Sequence, residues 1–124
     1  MTINGRIDEK NQLWLSVVVG TDGNQQTLDM LLDTGFSGEI QLPISVAVPL
    51  GLKLIGVAPF EYADGTSHPK MLFEGTITLG TTSRAVTAIV SPSSTPLLGS
   101  GLLSEYQLVA DFKSKTFVIE DSVN

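Results

Sequence analysis

The sequence predicts a mainly β domain with one or two short helices, and three observations carry that expectation. Eleven Val, 8 Ile and 12 Thr make up a quarter of the 124 residues, and side chains branched at Cβ fit a pleated strand better than a helix. The 12 Gly and 6 Pro fall mostly between the apolar runs, where chain reversals belong. Two Asp-Gly pairs, Asp22-Gly23 and Asp64-Gly65, are each flanked by extended sequence, which is the pattern of a hairpin.

Taken in order, Leu13 to Val19 is a β-prone run, Thr21-Asp22-Gly23-Asn24 tolerates positive φ, and Gln26 to Leu32 resumes an extended stretch. That strand runs into Asp33-Thr34-Gly35, where a Gly after apolar residues marks a sharp change of direction, so Asp33 is expected at a strand's end. Ile40 to Leu42 reads as a short strand. Pro43, at the first helical position, then opens a brief helix through Val48, ended by Pro49 and Gly51. Leu54 to Tyr62 is extended again and meets the turn Ala63-Asp64-Gly65-Thr66. In Met71 to Leu79, Leu72, Glu74, Thr76 and Thr78 alternate with Phe73, Ile77 and Leu79, and Arg84 to Val90 pairs with this strand across Gly80 to Ser83. Ser91 to Pro96 is a connection within the domain. Ser100 is placed to cap a helix over Gly101 to Tyr106, and Leu108 to Phe112 and Thr116 to Glu120 close the chain as strands around Lys113-Ser114-Lys115.

A length of 124 residues fits one domain, 1–124. The net charge of −6 with scattered basic residues gives no footprint for a phosphate backbone, so no nucleic-acid partner is expected. Charged residues are 16% of the chain, below the roughly 25% of an ordinary domain, so much of the chain must be buried. No apolar run approaches the ~20 residues that span a bilayer as a helix. Residues 1–10 lack the apolar core of a signal peptide, so a cytoplasmic location is expected. With no Cys and a single His, His68, thiol catalysis and Cys/His zinc sites are excluded, and neither metal nor cofactor is expected.

Asp33-Thr34-Gly35 is the one segment with a sharp chemical meaning. A carboxylate at the end of a buried strand, on a loop containing Gly, meets little water and accepts backbone N–H groups, so its ionisation becomes sensitive to its neighbours. Two such groups at hydrogen-bonding distance share one proton and serve as base and acid together. The chain supplies one, because Asp8, Asp22, Asp29, Asp64, Asp111 and Asp121 lack that setting. An ordinary strand-ending turn is the competing reading of the tripeptide.

The context of the tripeptide is more specific. Met30-Leu31-Leu32 precedes it, Phe36-Ser37-Gly38 follows it, and Leu97-Leu98-Gly99 answers it later in the chain. That set resembles the clan AA, retropepsin-like aspartic proteases, and the Asp-Thr-Gly-Phe form looks like their small prokaryotic members. The resemblance implies a closed β-barrel of the acid protease fold and an aspartic endopeptidase active as a homodimer. Asp33 of each protomer would activate a water for attack on a peptide held between a catalytic floor and paired flaps, with no metal and no cofactor. It further implies that Thr34 braces the two loops across the dimer axis, that Gly35 brings its N–H to the carboxylate, and that Ala63, Asp64, Gly65 and Thr66 form the flap tip. Terminal strands near Ile3 to Ile7 and Phe117 to Ile119 would build the interface. Phe36 stands where many relatives have Ala, Ser or Thr, so either Ser37 supplies the hydroxyl that supports the carboxylate or the carboxylate is less supported. The alternative function is a non-proteolytic dimeric peptide-binding module on the same fold. Elsewhere, His68 reads as an exposed loop residue, Trp14 as core or interface, and Gly99-Ser100-Gly101 as a helix start rather than a phosphate loop.

Overall fold

The computed structural model describes residues 2–61, 63–92 and 95–121. Among these residues ten strands and one helical turn follow the chain: β1 (Thr2–Ile7), β2 (Leu13–Thr21), β3 (Asn24–Asp33), β4 (Ile40–Pro43), α1 (Ile44–Ala47), β5 (Lys53–Glu61), β6 (Ser67–Leu79), β7 (Thr82–Ser91), β8 (Leu97–Gly99), β9 (Tyr106–Asp111) and β10 (Thr116–Asp121). The strands form one sheet in the order β5-β6-β7-β4-β8-β3-β2-β1-β10-β9, and a further pairing of β6 with β2 rolls its middle into a closed six-stranded barrel. Closure needs two backbones to come unusually near. A Cβ on Gly75 would lie 2.8 Å from the Gly20 carbonyl oxygen, which also accepts the Thr76 hydroxyl at 3.1 Å.

Alternation along the strands fills the barrel. Leu15, Val17 and Val19 of β2, Leu28, Met30 and Leu32 of β3, and Val86, Ala88 and Val90 of β7 point inward and are buried. Each large side chain so buried contributes about 1.5–3 kcal/mol. The core continues into the arm formed by β1 and β10 through Ile3, Ile7, Phe117 and Ile119. There Gly5 pairs with Phe117, and the ring lies over it so closely that a Cβ on Gly5 would be 2.1 Å from its Cζ.

Several boundaries and two elements differ from the sequence reading. Pro43 is the N-cap of α1 rather than its first helical residue. The tip at Asp22-Gly23 closes without positive φ, unlike Gly65 and Gly80. Tyr62 and Ser93-Ser94, within the expected strand and loop, lie outside the described residues. The helix expected over Gly101 to Tyr106 is absent. The N–H groups of Ser100 and Gly101 donate to the Phe36 and Gly38 carbonyls, and two turns, Leu102 to Gly99 and Leu103 to Ser100, deliver Tyr106 to its pairing with Asp121. His68 lies on β6 opposite Phe60, exposed, rather than in a loop.

The strands expected to pair between protomers pair within the chain. β10 lies between β1 and β9, so the backbone of Phe117 to Ile119 has neighbours on both sides. β1 pairs with β2 only through Arg6 and Ile7, which leaves the outer edge of Thr2 to Gly5 open among the described residues, together with the edges of β5 and β9.

Candidate active site

Asp33 is the last residue of β3, held in a parallel register in which Leu31, Leu32 and Asp33 face Leu97, Leu98 and Gly99 of β8. β8 thus lies between β3 and β4, with β4 on its other side through Ile40 and Gln41. The loop from Thr34 to Glu39 must therefore cross the end of β8. It does so by hydrogen bonding to it: the Gly99 N–H donates to the Glu39 carbonyl at 2.9 Å and the Ser100 N–H to the Phe36 carbonyl at 2.8 Å. The approach leaves no room for a side chain on Gly99, whose Cβ would lie 2.0 Å from the Gly38 oxygen and 2.7 Å from the Phe36 ring. The two segments singled out in the sequence, Asp33-Thr34-Gly35 and Leu97-Leu98-Gly99, are brought together in this way.

The Asp33 carboxylate is half-buried and its Oδ1 accepts the Gly35 N–H at 2.9 Å. A Cβ on Gly35 would press on that oxygen at 3.2 Å, so the absent side chain is what lets the amide approach freely. Among the described residues no hydroxyl reaches the carboxylate, and neither the Ser37 nor the Thr34 side chain hydrogen-bonds within the chain. Thr34 is exposed beside Asp33.

Two depressions flank this loop. One, of about 330 Å³, is walled by Asn11, Gln12 and Leu13 against Asp33 and Thr34. The turn that supplies Asn11 and Gln12 is fixed by Asp8, whose carboxylate accepts the N–H groups of Lys10 and Gln12 and the Trp14 indole N–H at 2.8 Å. Half-buried Trp14 therefore serves as a tie for this turn, with the Arg6 guanidinium 5.5 Å above its ring. The other depression is a groove of about 550 Å³, bounded by Gly35 to Glu39 on the loop side and by Phe60, Leu72, Thr87 and Ile89 on the strand side. Phe36, the departure noted in the sequence, forms part of its wall and packs where Cβ atoms on Gly38 and Gly99 would otherwise be.

Ala63 to Thr66 form the turn at the end of the arm made by β5 and β6. Asp64 organises it: its Oδ1 accepts the Thr66 hydroxyl at 2.7 Å and the Thr66 N–H at 2.9 Å, and Gly65 takes φ +86°. The hydroxyl, then the amide, of Thr66 hold the Asp64 carboxyl below its ordinary 3.8. The Thr66 oxygen also lies 3.3 Å from His68 Nε2.

Sequence reasoning missed Glu39, Arg84, Phe60, Leu72 and Ile89. A signal for Leu72 was present, since it is the apolar residue in the otherwise polar series with Glu74, Thr76 and Thr78. Glu39 and Arg84 carried none, because their pairing joins segments far apart in the chain. Among the described residues no cluster of three or more His, Asp or Glu is arranged to hold a metal. Among the described residues, no helix is long and apolar enough to cross a membrane.

Comparison with solved structures gives the barrel a precedent. A retropepsin-like aspartic protease from Rickettsia conorii superposes with a TM-score of 0.73 at 17% identity, covering 98% of this chain and 91% of that one. EIAV protease in complex with the inhibitor HBY-793 superposes with a TM-score of 0.60, also at 17% identity, covering 78% and 89%. A search of curated proteins finds no match. The family model described as aspartyl protease matches residues 17–103, the stretch that runs from the first barrel strand through the Asp33 loop to the segment that braces it, and the chain therefore belongs to the aspartyl protease family, with the retropepsin-like fold.

Proposed function

We propose that the protein is an aspartic endopeptidase that acts as a homodimer, with Asp33 from each chain forming the catalytic pair. The observation that supports this reading best is the setting of Asp33: a half-buried carboxylate at a strand end, oriented by the amide of Gly35, the residue at which the groove beside Phe36 begins. One chain brings one such carboxylate, and a proton-sharing pair requires two. In the proposed reaction, one ionised Asp33 takes a proton from water as it attacks the peptide carbonyl carbon, while the protonated Asp33 of the second chain gives its proton to the carbonyl oxygen. The tetrahedral diol then collapses as the leaving nitrogen is protonated, releasing an acid and an amine. Thr34, exposed and with no side-chain hydrogen bond among the described residues, is placed to brace the partner's loop. The Asp64-Gly65 turn is suited to close over the peptide and exclude water.

The test is digestion of a denatured protein by purified wild type and by Asp33→Asn, read by mass spectrometry. Asn keeps the shape and cannot carry the proton, so wild type is expected to generate new termini and the variant none. Equal cleavage by both would remove the aspartic mechanism. Peptide binding with no cleavage by wild type would favour the binding-module reading, which the lack of a hydroxyl on the Asp33 carboxylate keeps in view.

A further inference from the structure

The groove beside Phe36 has a feature that its strand alternation does not require. Paired residues of neighbouring strands share a face, so Gly56, Leu72, Ile89 and Gln41 form one row across β5, β6, β7 and β4 on the outer face of the sheet. The row on one side, Lys53, Glu74 and Thr87, is polar, and on the other side Ala58 stands opposite Lys70. Outward positions of an antiparallel sheet are ordinarily polar, and the Leu72 and Ile89 pair breaks that pattern where Phe36 and Phe60 add two aromatic walls. The row also has a vacancy. A Cβ on Gly56 would meet nothing within 4 Å and its φ is not in the left-handed region, so neither backbone nor packing requires glycine there. What the missing side chain leaves is open space next to Leu72.

Glu39 is the charged residue that lines this groove, and both oxygens of its carboxylate accept a hydrogen bond. Oε1 accepts the Thr87 N–H at 2.9 Å and Oε2 accepts the Arg84 guanidinium, which also donates through Nε to the Ala85 carbonyl at 3.3 Å. A lysine or arginine entering the groove would have to displace Arg84, and an acidic side chain would face a second carboxylate in an apolar recess. Both outcomes are unfavourable, whereas an apolar side chain loses nothing and buries its own surface.

We propose that Arg84 is a specificity-determining residue: by occupying the Glu39 carboxylate it turns a groove that would otherwise select a basic side chain of a bound extended peptide into one that takes a large uncharged side chain. Removing Arg84 leaves an uncompensated carboxylate on the wall of an apolar groove, which is the arrangement that selects a basic side chain. The proposal rests on the reading of the chain as a binder of extended peptides, and binding to a cleavage-incompetent variant separates it from the question of catalysis.

The test uses Asp33→Asn protein and a set of fluorescein-labelled octapeptides in which Phe, Leu, Lys or Glu is scanned through each position, with affinity read by fluorescence anisotropy. At one position Phe and Leu are expected to bind about tenfold or more tighter than Lys and Glu. Adding Arg84→Gln should close the gap for Lys by about tenfold and leave Glu disfavoured, and further addition of Glu39→Gln should abolish that gain. Arg84→Lys, which keeps the charge, should leave the Lys peptides disfavoured, and covers the case in which Arg84→Gln fails to fold. Gly56→Leu should fill the vacancy and weaken the Phe peptides selectively, with an unchanged melting temperature. The proposal is overturned if no position prefers apolar residues, if folded Arg84→Gln protein has an unaltered preference, or if the gain for Lys survives loss of Glu39. A flat ladder beside wild-type cleavage overturns this inference alone; the expected ladder with no wild-type cleavage overturns the endopeptidase reading alone.

Discussion

Gly99 shows how much of the site depends on a single missing side chain. Its Cβ would collide with the Gly38 carbonyl oxygen and the Phe36 ring, so neither the loop nor β8 has anywhere to move without losing hydrogen bonds. Gly99→Ala is expected to destabilise the fold by about 3 kcal/mol in urea titration. Gly23→Ala, at a tip with nothing within 4 Å, should change stability by no more than about 0.5 kcal/mol. The role of Gly99 was legible only as an apolar-apolar-Gly pattern; that it is a brace for the Asp33 loop is a tertiary fact, set by the parallel register with β3. Phe36 illustrates the converse. In the sequence it stood out as a departure, and its reason lies in Gly38 and Gly99, which together make room for the ring.

Acid sensitivity is also set at single residues. The Gln12 amide, then the Trp14 indole and the Lys10 amide hold the Asp8 carboxyl below its ordinary 3.8, and the Ser114 and Lys113 amides do the same for Asp111. A carboxyl whose folded value is depressed contributes stability that is fully present above its unfolded value and is lost as pH falls through the folded one. The melting temperatures of wild type and Asp8→Asn should therefore differ at neutral pH and converge below about pH 4, in a series of thermal melts.

At the scale of elements, the arm of β5 and β6 is the one most readily recognised from sequence, because an Asp-Gly pair between extended runs is a local signal with a local cause. The helix expected after Ser100 and absent from the fold teaches the opposite lesson. Its cap and composition were compatible with helix, and the N–H groups that a first turn would leave free were instead claimed by the Asp33 loop. The turn at Ala63 to Thr66, proposed as a flap, carries its own prediction. Gly65 has φ +86° and no neighbour for a Cβ to strike, so Gly65→Val adds backbone strain of about 1–2 kcal/mol confined to the turn. Turnover should fall several-fold while the global melting temperature moves little. Hydrogen exchange over Ala63 to Ser67 should be fast without peptide and slow with it; exchange as slow as in the barrel strands in the unliganded protein would show that these residues do not act as a flap.

For the whole molecule, the closed barrel and its single continuous core were foreshadowed by alternation and by the family resemblance, while the pairing of the chain's two ends with each other was not. Edge partners cannot be read from strand sequences when, as with Phe117 to Ile119, either edge offers the same backbone groups. Pairing β1, β10 and β9 within one chain has a thermodynamic consequence. The chain pairs its terminal strands without a partner, so folding does not require assembly, and the two are distinct equilibria linked by mass action. The melting temperature should then be independent of protein concentration below the dimer dissociation constant and rise with concentration above it, while specific activity per chain should decline on dilution below that constant and be poisoned by excess Asp33→Asn. A folded yet latent single chain, switched on by mass action alone, would let the amount synthesised decide when proteolysis begins.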